Sequence, residues 1–152
     1  MAGLSAAQAA AVPAPRSHSI WAVVNHVRFW QEATLLRLRG EPVDRQALGA
    51  QDGWPPAGDP ADEVGWQAAC TRALAVNAAL AGAVAELSED ELADPIAPGR
   101  ASRWQAIHGL IGHNSYHTSE IVRLRHMQGL WLERPTTQPP WPRPTRWRRA
   151  AG

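Results

Sequence analysis

The chain has 152 residues, a formal net charge of +1 and a single cysteine, Cys70. This length suits one domain with its own hydrophobic core, and one cysteine excludes an internal disulfide framework. No apolar run approaches the roughly 20 residues of a membrane span. The first residues lack the basic start and long apolar core of a signal peptide. We therefore expect a cytoplasmic protein without a membrane partner.

Charge is unevenly distributed along the chain. Residues 133–152 hold five arginines and one glutamate, a charge of +4, which leaves −3 on residues 1–132. A nucleic-acid-binding body would need a basic face, so we expect no nucleic-acid partner. Residues 132–152 are rich in proline and arginine and have no apolar period, which predicts a disordered tail.

Alanine is abundant and β-branched residues are scarce, a composition that favours helix over sheet. Residues 1–16 are predicted to form a short helix begun by Ser5 and then a proline-marked turn. The first long helix is predicted to begin at Ser17 or Ser19 and to end at Gly40. Its inward stripe has spacings of three and four: Ile20, Val23, Val27, Trp30, Thr34 and Leu38.

Residues 41–60 are rich in glycine and proline, which predicts a loop. A second long helix is predicted over residues 62–87, with Asp59 or Asp62 as its N-terminal cap. Its apolar side chains are Val64, Ala68, Leu74, Ala78, Leu80, Val84 and Leu87.

A polar turn is predicted over residues 88–101, where Ser88 and Glu91 have the spacing of a capping box. The third long helix is predicted from Ser102 to about Gly129. Its buried seam has spacings of 3, 4, 3, 4 and 3: Ile107, Leu110, Asn114, His117, Ile121 and Leu124. This alternation is typical of packed antiparallel helices, so the sequence predicts an all-α fold.

Two histidines, His113 and His117, lie one turn apart and project on the same side of this helix. Such a pair can bind one divalent cation, and His26, beside the apolar stripe of the first long helix, is the natural third ligand. Three histidines leave coordination positions open, as in catalytic zinc sites. Other interpretations stay open, because such pairs also arise by chance, lie exposed or are hydrogen-bonded core residues. His18, His108 and His126 are assigned to surface or helix-end positions.

Four segments occur in an order that is informative together: HSIWAVVNHVRFW (18–30), the tryptophan of GWPP (53–56), DEVGWQAACTRAL (62–74) and HNSYHTSEIVRLR (113–125). Over residues 3–131 they resemble the DinB-like (damage-inducible, YfiT-like) family. The resemblance implies an up-and-down four-helix bundle, often a homodimer, with a divalent metal site whose ligands carry over to His26, His113 and His117. Three histidines suit Zn, Ni, Fe or Mn. The resemblance assigns the bundle to residues 17–131.

Two features depart from the family pattern. Members usually read Tyr-His-x-Gly-Gln, whereas here His117 is followed by Thr118, Ser119 and Glu120. Glu120 is the candidate base, and it can instead orient His117, act as a fourth ligand or be a surface carboxylate. In addition, the family's first long helix has no counterpart. We expect either that the true start of the chain lies upstream or that the bundle is shortened. A shortened bundle would expose an apolar strip, which is either an aggregation liability or an interface.

The resemblance implies a metal-dependent enzyme with a small-molecule substrate. Relatives include transferases and isomerases that use low-molecular-weight thiols such as bacillithiol or mycothiol. A divalent metal on three imidazoles lowers the pKa of a bound thiol, and a related hydrolase would use water instead. Two alternatives are a non-catalytic stress-response module and a helical interaction protein.

Overall fold

The computed structural model describes residues 3–50 and 52–130. These residues form five α-helices: α1 Ala6–Ala10, α2 Ile20–Leu38, α3 Glu63–Ala85, α4 Glu89–Ala93 and α5 Arg103–Met127. The predicted all-α class and the three long helices are confirmed. The predicted tail at residues 132–152 lies outside the described residues, and the division of the chain into three segments stays a prediction.

Each described helix begins at a side chain that accepts a hydrogen bond from its first turn: Ser5, Ser19, Asp62, Ser88 and Ser102. Such caps satisfy backbone N–H groups that have no partner within the helix. Of the predicted alternatives, Ser19 rather than Ser17 caps α2, and Asp62 rather than Asp59 caps α3. The capping box predicted at Ser88 is present.

Helix α2 is the centre of the fold, because it packs against α1, α3 and α5 while the backbones of α3 and α5 stay apart. The core forms around its first half: Leu4, Ala6, Ala9, Ile20, Trp21, Val23, Val24, Trp66 and Leu124. Trp66 is fully buried there, and its Nε1–H donates to the Leu4 carbonyl at 2.8 Å. The short N-terminal helix is thereby attached to α3.

Helix α3 buries a narrower face than its apolar composition suggests. Trp66 and Leu80 are buried, whereas Val64 is exposed and Leu74 is 64% exposed. The reason is that α3 has only α1 and α2 as helical neighbours within the described residues. By length and composition α3 is also apolar enough to cross a membrane, the one described helix that is. This corrects the expectation that no segment approaches the span of a membrane.

A groove separates α3 from α5, and α2 forms its floor. Its lining is mostly apolar and includes Val24, Val27, Leu74, Leu80, Ile107, Leu110, Ile121 and Val122. The exposed apolar strip expected from a bundle with three long helices therefore lies between α3 and α5.

We expect Trp66→Ala to lower the free energy of unfolding by about 3–5 kcal/mol, because it empties a fully buried site and removes the donor to Leu4. Trp104→Ala is the matched control, because Trp104 is 56% exposed and its loss should change stability by less than about 0.5 kcal/mol. Urea denaturation of both variants measures the difference. Equal losses would contradict the assignment of Trp66 to the core.

Candidate metal centre

Three histidines from two helices meet beside the core. His26 lies on α2, and His113 and His117 lie one turn apart on α5. One possible ligand atom from each residue lies within 4.8 Å of the other two. His26 and His117 are buried, and His113 is half-buried. The structure thus brings the three predicted ligands together, while metal binding itself stays a prediction.

The outer nitrogens of two of these rings have hydrogen-bond partners. His26 Nδ1 donates to the Gly53 carbonyl at 2.6 Å, and His117 Nδ1 donates to Glu120 Oε2 at 2.8 Å. In each ring this leaves Nε2 as the nitrogen available to a ligand. Histidines that bind metals usually donate their other N–H in this way, which fixes the tautomer and the ring orientation.

The inward nitrogens of His26 and His113 suit a shared cation. Their Nε2 atoms are 2.9 Å apart, so one of them carries a proton whenever no cation lies between them. Two imidazole nitrogens on one tetrahedral zinc ion, at 2.0–2.1 Å each, stand about 3.3 Å apart. Small side-chain movements would produce that separation. The donor set therefore fits one divalent metal ion.

Burial favours the neutral form of two of these imidazoles, His26 and His113. It lowers the pKa of His26 from 6.5 to about 4, and the neighbouring His117 and His113 add to this effect against the Gly53 hydrogen bond. Burial is also the main reason that the pKa of His113 is lowered. Neutral imidazole is the form that ligates metals, so burial holds His26 and His113 in the form that a metal requires.

Glu120 connects His117 to His18. Its Oε2 accepts from His117, and its Oε1 accepts from His18 Nδ1 at 3.0 Å. Burial alone would raise the pKa of Glu120, but the hydrogen bonds from His18 and His117 lower it overall. Its side chain is only 9% exposed, which does not fit the surface-carboxylate alternative. Its hydrogen bond from His117 agrees with the alternative that Glu120 orients that ring. The role of Glu120 as a base stays a prediction.

Trp54 and His18 belong to the site, although the sequence did not assign them to it. The Trp54 ring stacks between His18, at a centroid distance of 3.9 Å, and His26, at 3.7 Å. His18 is 45% exposed, which agrees in part with its predicted surface position. The quoted GWPP segment contained a signal for Trp54, whereas no local pattern pairs His18 with Glu120.

The other two described histidines lie away from the cluster. His108 and His126 are exposed on α5, and His108 is beside Trp104 at a ring distance of 5.5 Å. Their exclusion from the predicted ligand set agrees with this placement.

The chain was compared with known protein families, curated proteins and solved structures. A family model described as the DinB superfamily matches residues 1–121. The matched range includes the three clustered histidines and Glu120. No curated protein and no solved structure matches the chain significantly.

We expect the free energy of unfolding of the metal-free protein to fall as the pH drops from 6.5 towards about 4. In this window the histidines of the unfolded chain bind protons that folded His26 does not bind. Protonation therefore favours the unfolded chain as the pH falls. Urea denaturation in a chelator, at about pH 7 and about pH 5, measures the loss. His26→Gln should flatten the profile, and an unchanged slope would contradict the assignment.

Proposed function

Since the chain belongs to the DinB superfamily, we propose that it binds one divalent transition-metal ion at His26, His113 and His117 and acts as a metal-dependent enzyme. The observation that carries the proposal is the convergence of three imidazoles on one point. Three protein ligands leave one tetrahedral position for a reactant, as in catalytic sites. Zn, Ni, Fe and Mn all suit such a ligand set.

A cavity beside the proposed centre reaches one of its histidines. The cavity has a volume of about 330 Å³ and is lined by His113 together with Trp30 and Thr34. A ligand in this cavity would lie against the exposed edge of the histidine cluster. This arrangement supports a small-molecule substrate.

We propose a transferase that uses a low-molecular-weight thiol, or a related hydrolase, acting in the cytoplasm. A divalent metal supplies a Lewis acid that lowers the pKa of a bound thiol or water. Glu120 accepts a hydrogen bond from His117 Nδ1–H and so orients that ring, which strengthens His117 as a ligand. Trp54 covers one face of His26 and excludes water from it.

The groove between α3 and α5 supports a second proposal, that this face binds a second copy of the chain. Residues 73–85 and 104–119, on its two sides, contain no Asp, Glu, Lys or Arg. Arg125 also lines the groove but is only 8% exposed. The face therefore offers a charged partner little to pair with, whereas it can pack against an identical face across a two-fold axis.

The size of this face also suits a dimer. Residues 107–125 of α5 rise about 28 Å, and two helices beside a shared neighbour present a face about 20 Å wide. The resulting area is of the same order as the roughly 800 Å² that each partner buries in a standard interface. The homodimer implied by the family resemblance is therefore proposed to form through α3 and α5.

We expect purified wild-type protein to hold about one equivalent of a transition metal, and His117→Ala to lose at least about tenfold in metal affinity, because it removes one of three ligands. Elemental analysis and chelator competition measure the two quantities. His108→Ala is the control, since His108 is exposed on the same helix and should leave metal content unchanged. A folded wild type that binds no added metal would refute the proposed centre. Metal bound without turnover of thiols or esters would leave a non-catalytic module.

We expect Leu74→Arg to convert a wild-type dimer into a monomer, because it introduces a charge into the apolar groove. Ala75→Arg is the matched control, because residue 75 is exposed and points away from the α2-facing side of α3. Sedimentation at micromolar concentration separates the two states. A monomeric wild type, or equal disruption by both variants, would contradict an interface at this face.

A further inference from the structure

A larger cavity beside the centre is lined by three arginines. Its volume is about 750 Å³, and Arg37 of α2, Arg45 of the following loop and Arg100 just before α5 all contribute to its wall. We call this space the arginine cavity. Trp30 and Ile96 add aromatic and aliphatic surface to it.

The charged residues among the described lining of the arginine cavity are all arginines. Neither Asp nor Glu is among the described residues that line it, and within the described chain no ion pair joins Arg37 to a carboxylate. Burial, and then repulsion from Arg100 and Arg45, lowers the pKa of Arg37. A half-buried cation that faces like charges is stabilised when an anion binds between them.

Trp30 lies between the arginine cavity and His113 and lines the space on both sides. Its ring centroid is 5.3 Å from the guanidinium carbon of Arg45 and 6.3 Å from the His113 ring. The smaller cavity that ends at His113 shares Trp30, Thr34 and Arg37 with the arginine cavity. The two spaces therefore adjoin, and one molecule can extend from the guanidinium groups to the histidine cluster.

We propose that the arginine cavity binds an oxyanion of the substrate, a carboxylate or a phosphate, on Arg37 and Arg100. The rest of the molecule lies along Trp30 towards His113. Planar guanidinium groups bind both oxyanions through paired hydrogen bonds, and the aliphatic wall accepts a small hydrocarbon body. This inference deepens the proposed function and rests on it for the position of the reacting end, while anion binding itself requires no metal.

The test uses metal-free, full-length protein. Inorganic phosphate and succinate are titrated separately at constant ionic strength, and binding is followed by calorimetry and by the NMR signal of the Trp30 indole N–H. We expect saturable binding that shifts the Trp30 signal. Arg37→Gln and Arg100→Gln should each weaken it at least about tenfold, because each removes charge-assisted hydrogen bonds. Arg123→Gln is the control, since Arg123 is exposed on α5 and lies outside the cavity lining.

The outcomes separate this inference from the metal proposal. Arg100 is exposed, so Arg100→Gln still tests the cavity if Arg37→Gln does not fold. The tighter of the two probes identifies the head group. The inference would be overturned if neither phosphate nor succinate bound saturably. It would also be overturned if Arg123→Gln weakened anion binding as much as the cavity variants do. If the protein takes up one equivalent of added metal but binds neither anion, the result counts against the arginine cavity alone. If it binds an anion but takes up no added metal, the result counts against the metal centre alone.

Discussion

The hydrogen bond from His26 to the Gly53 carbonyl fixes the loop after α2 against the bundle, and the rest of the site depends on it. Gly53 has φ +89°, and a Cβ there would lie 2.9 Å from the Trp30 ring, so only glycine allows this close approach. The next residue, Trp54, is thereby stacked on His26. One loop residue thus sets the tautomer of His26, the position of Trp30 and the cover of the site.

Two of the buried rings are hydrogen-bonded on their outer side, and on the inner side His26 and His113 share one hydrogen bond between their Nε2 atoms. Gly53 and Glu120 accept the outer N–H groups of His26 and His117, and His18 supports Glu120 in turn. Converging ring nitrogens without a cation or a shared proton are unfavourable in a buried site. Because His26 lies on α2 and the other two histidines lie on α5, a bound metal would join the two helices and stabilise the fold through ligand binding.

Local patterns predicted most of the fold, and long-range contacts account for what they missed. The helix starts at Ser88 and Ser102 were predictable because a cap and its partner lie three residues apart. The pairing of His113 with His117 was predictable because the two residues lie one helical turn apart, whereas His26 was predicted as a neighbour of an apolar stripe and through the family resemblance. The contact of His18 with Glu120 spans 102 residues and leaves no local signature. The exposure of Leu74 depends on which helices lie beside α3. The apolar pattern of α3 does not contain this information.

Helix α5 separates two surfaces of different chemistry. One side carries Ala106, Gly109 and His113 and lines the smaller cavity that adjoins the arginine cavity. The other side carries Ile111, Thr118 and Val122 and lines the mostly apolar groove. The buried seam through His117 and Leu124 lies between them, against α2. A second copy bound in the groove would therefore leave the cavity open to small molecules. It would also hold α5, and with it two of the three histidines, in place against α2, so that association and metal binding would favour the same arrangement of helices.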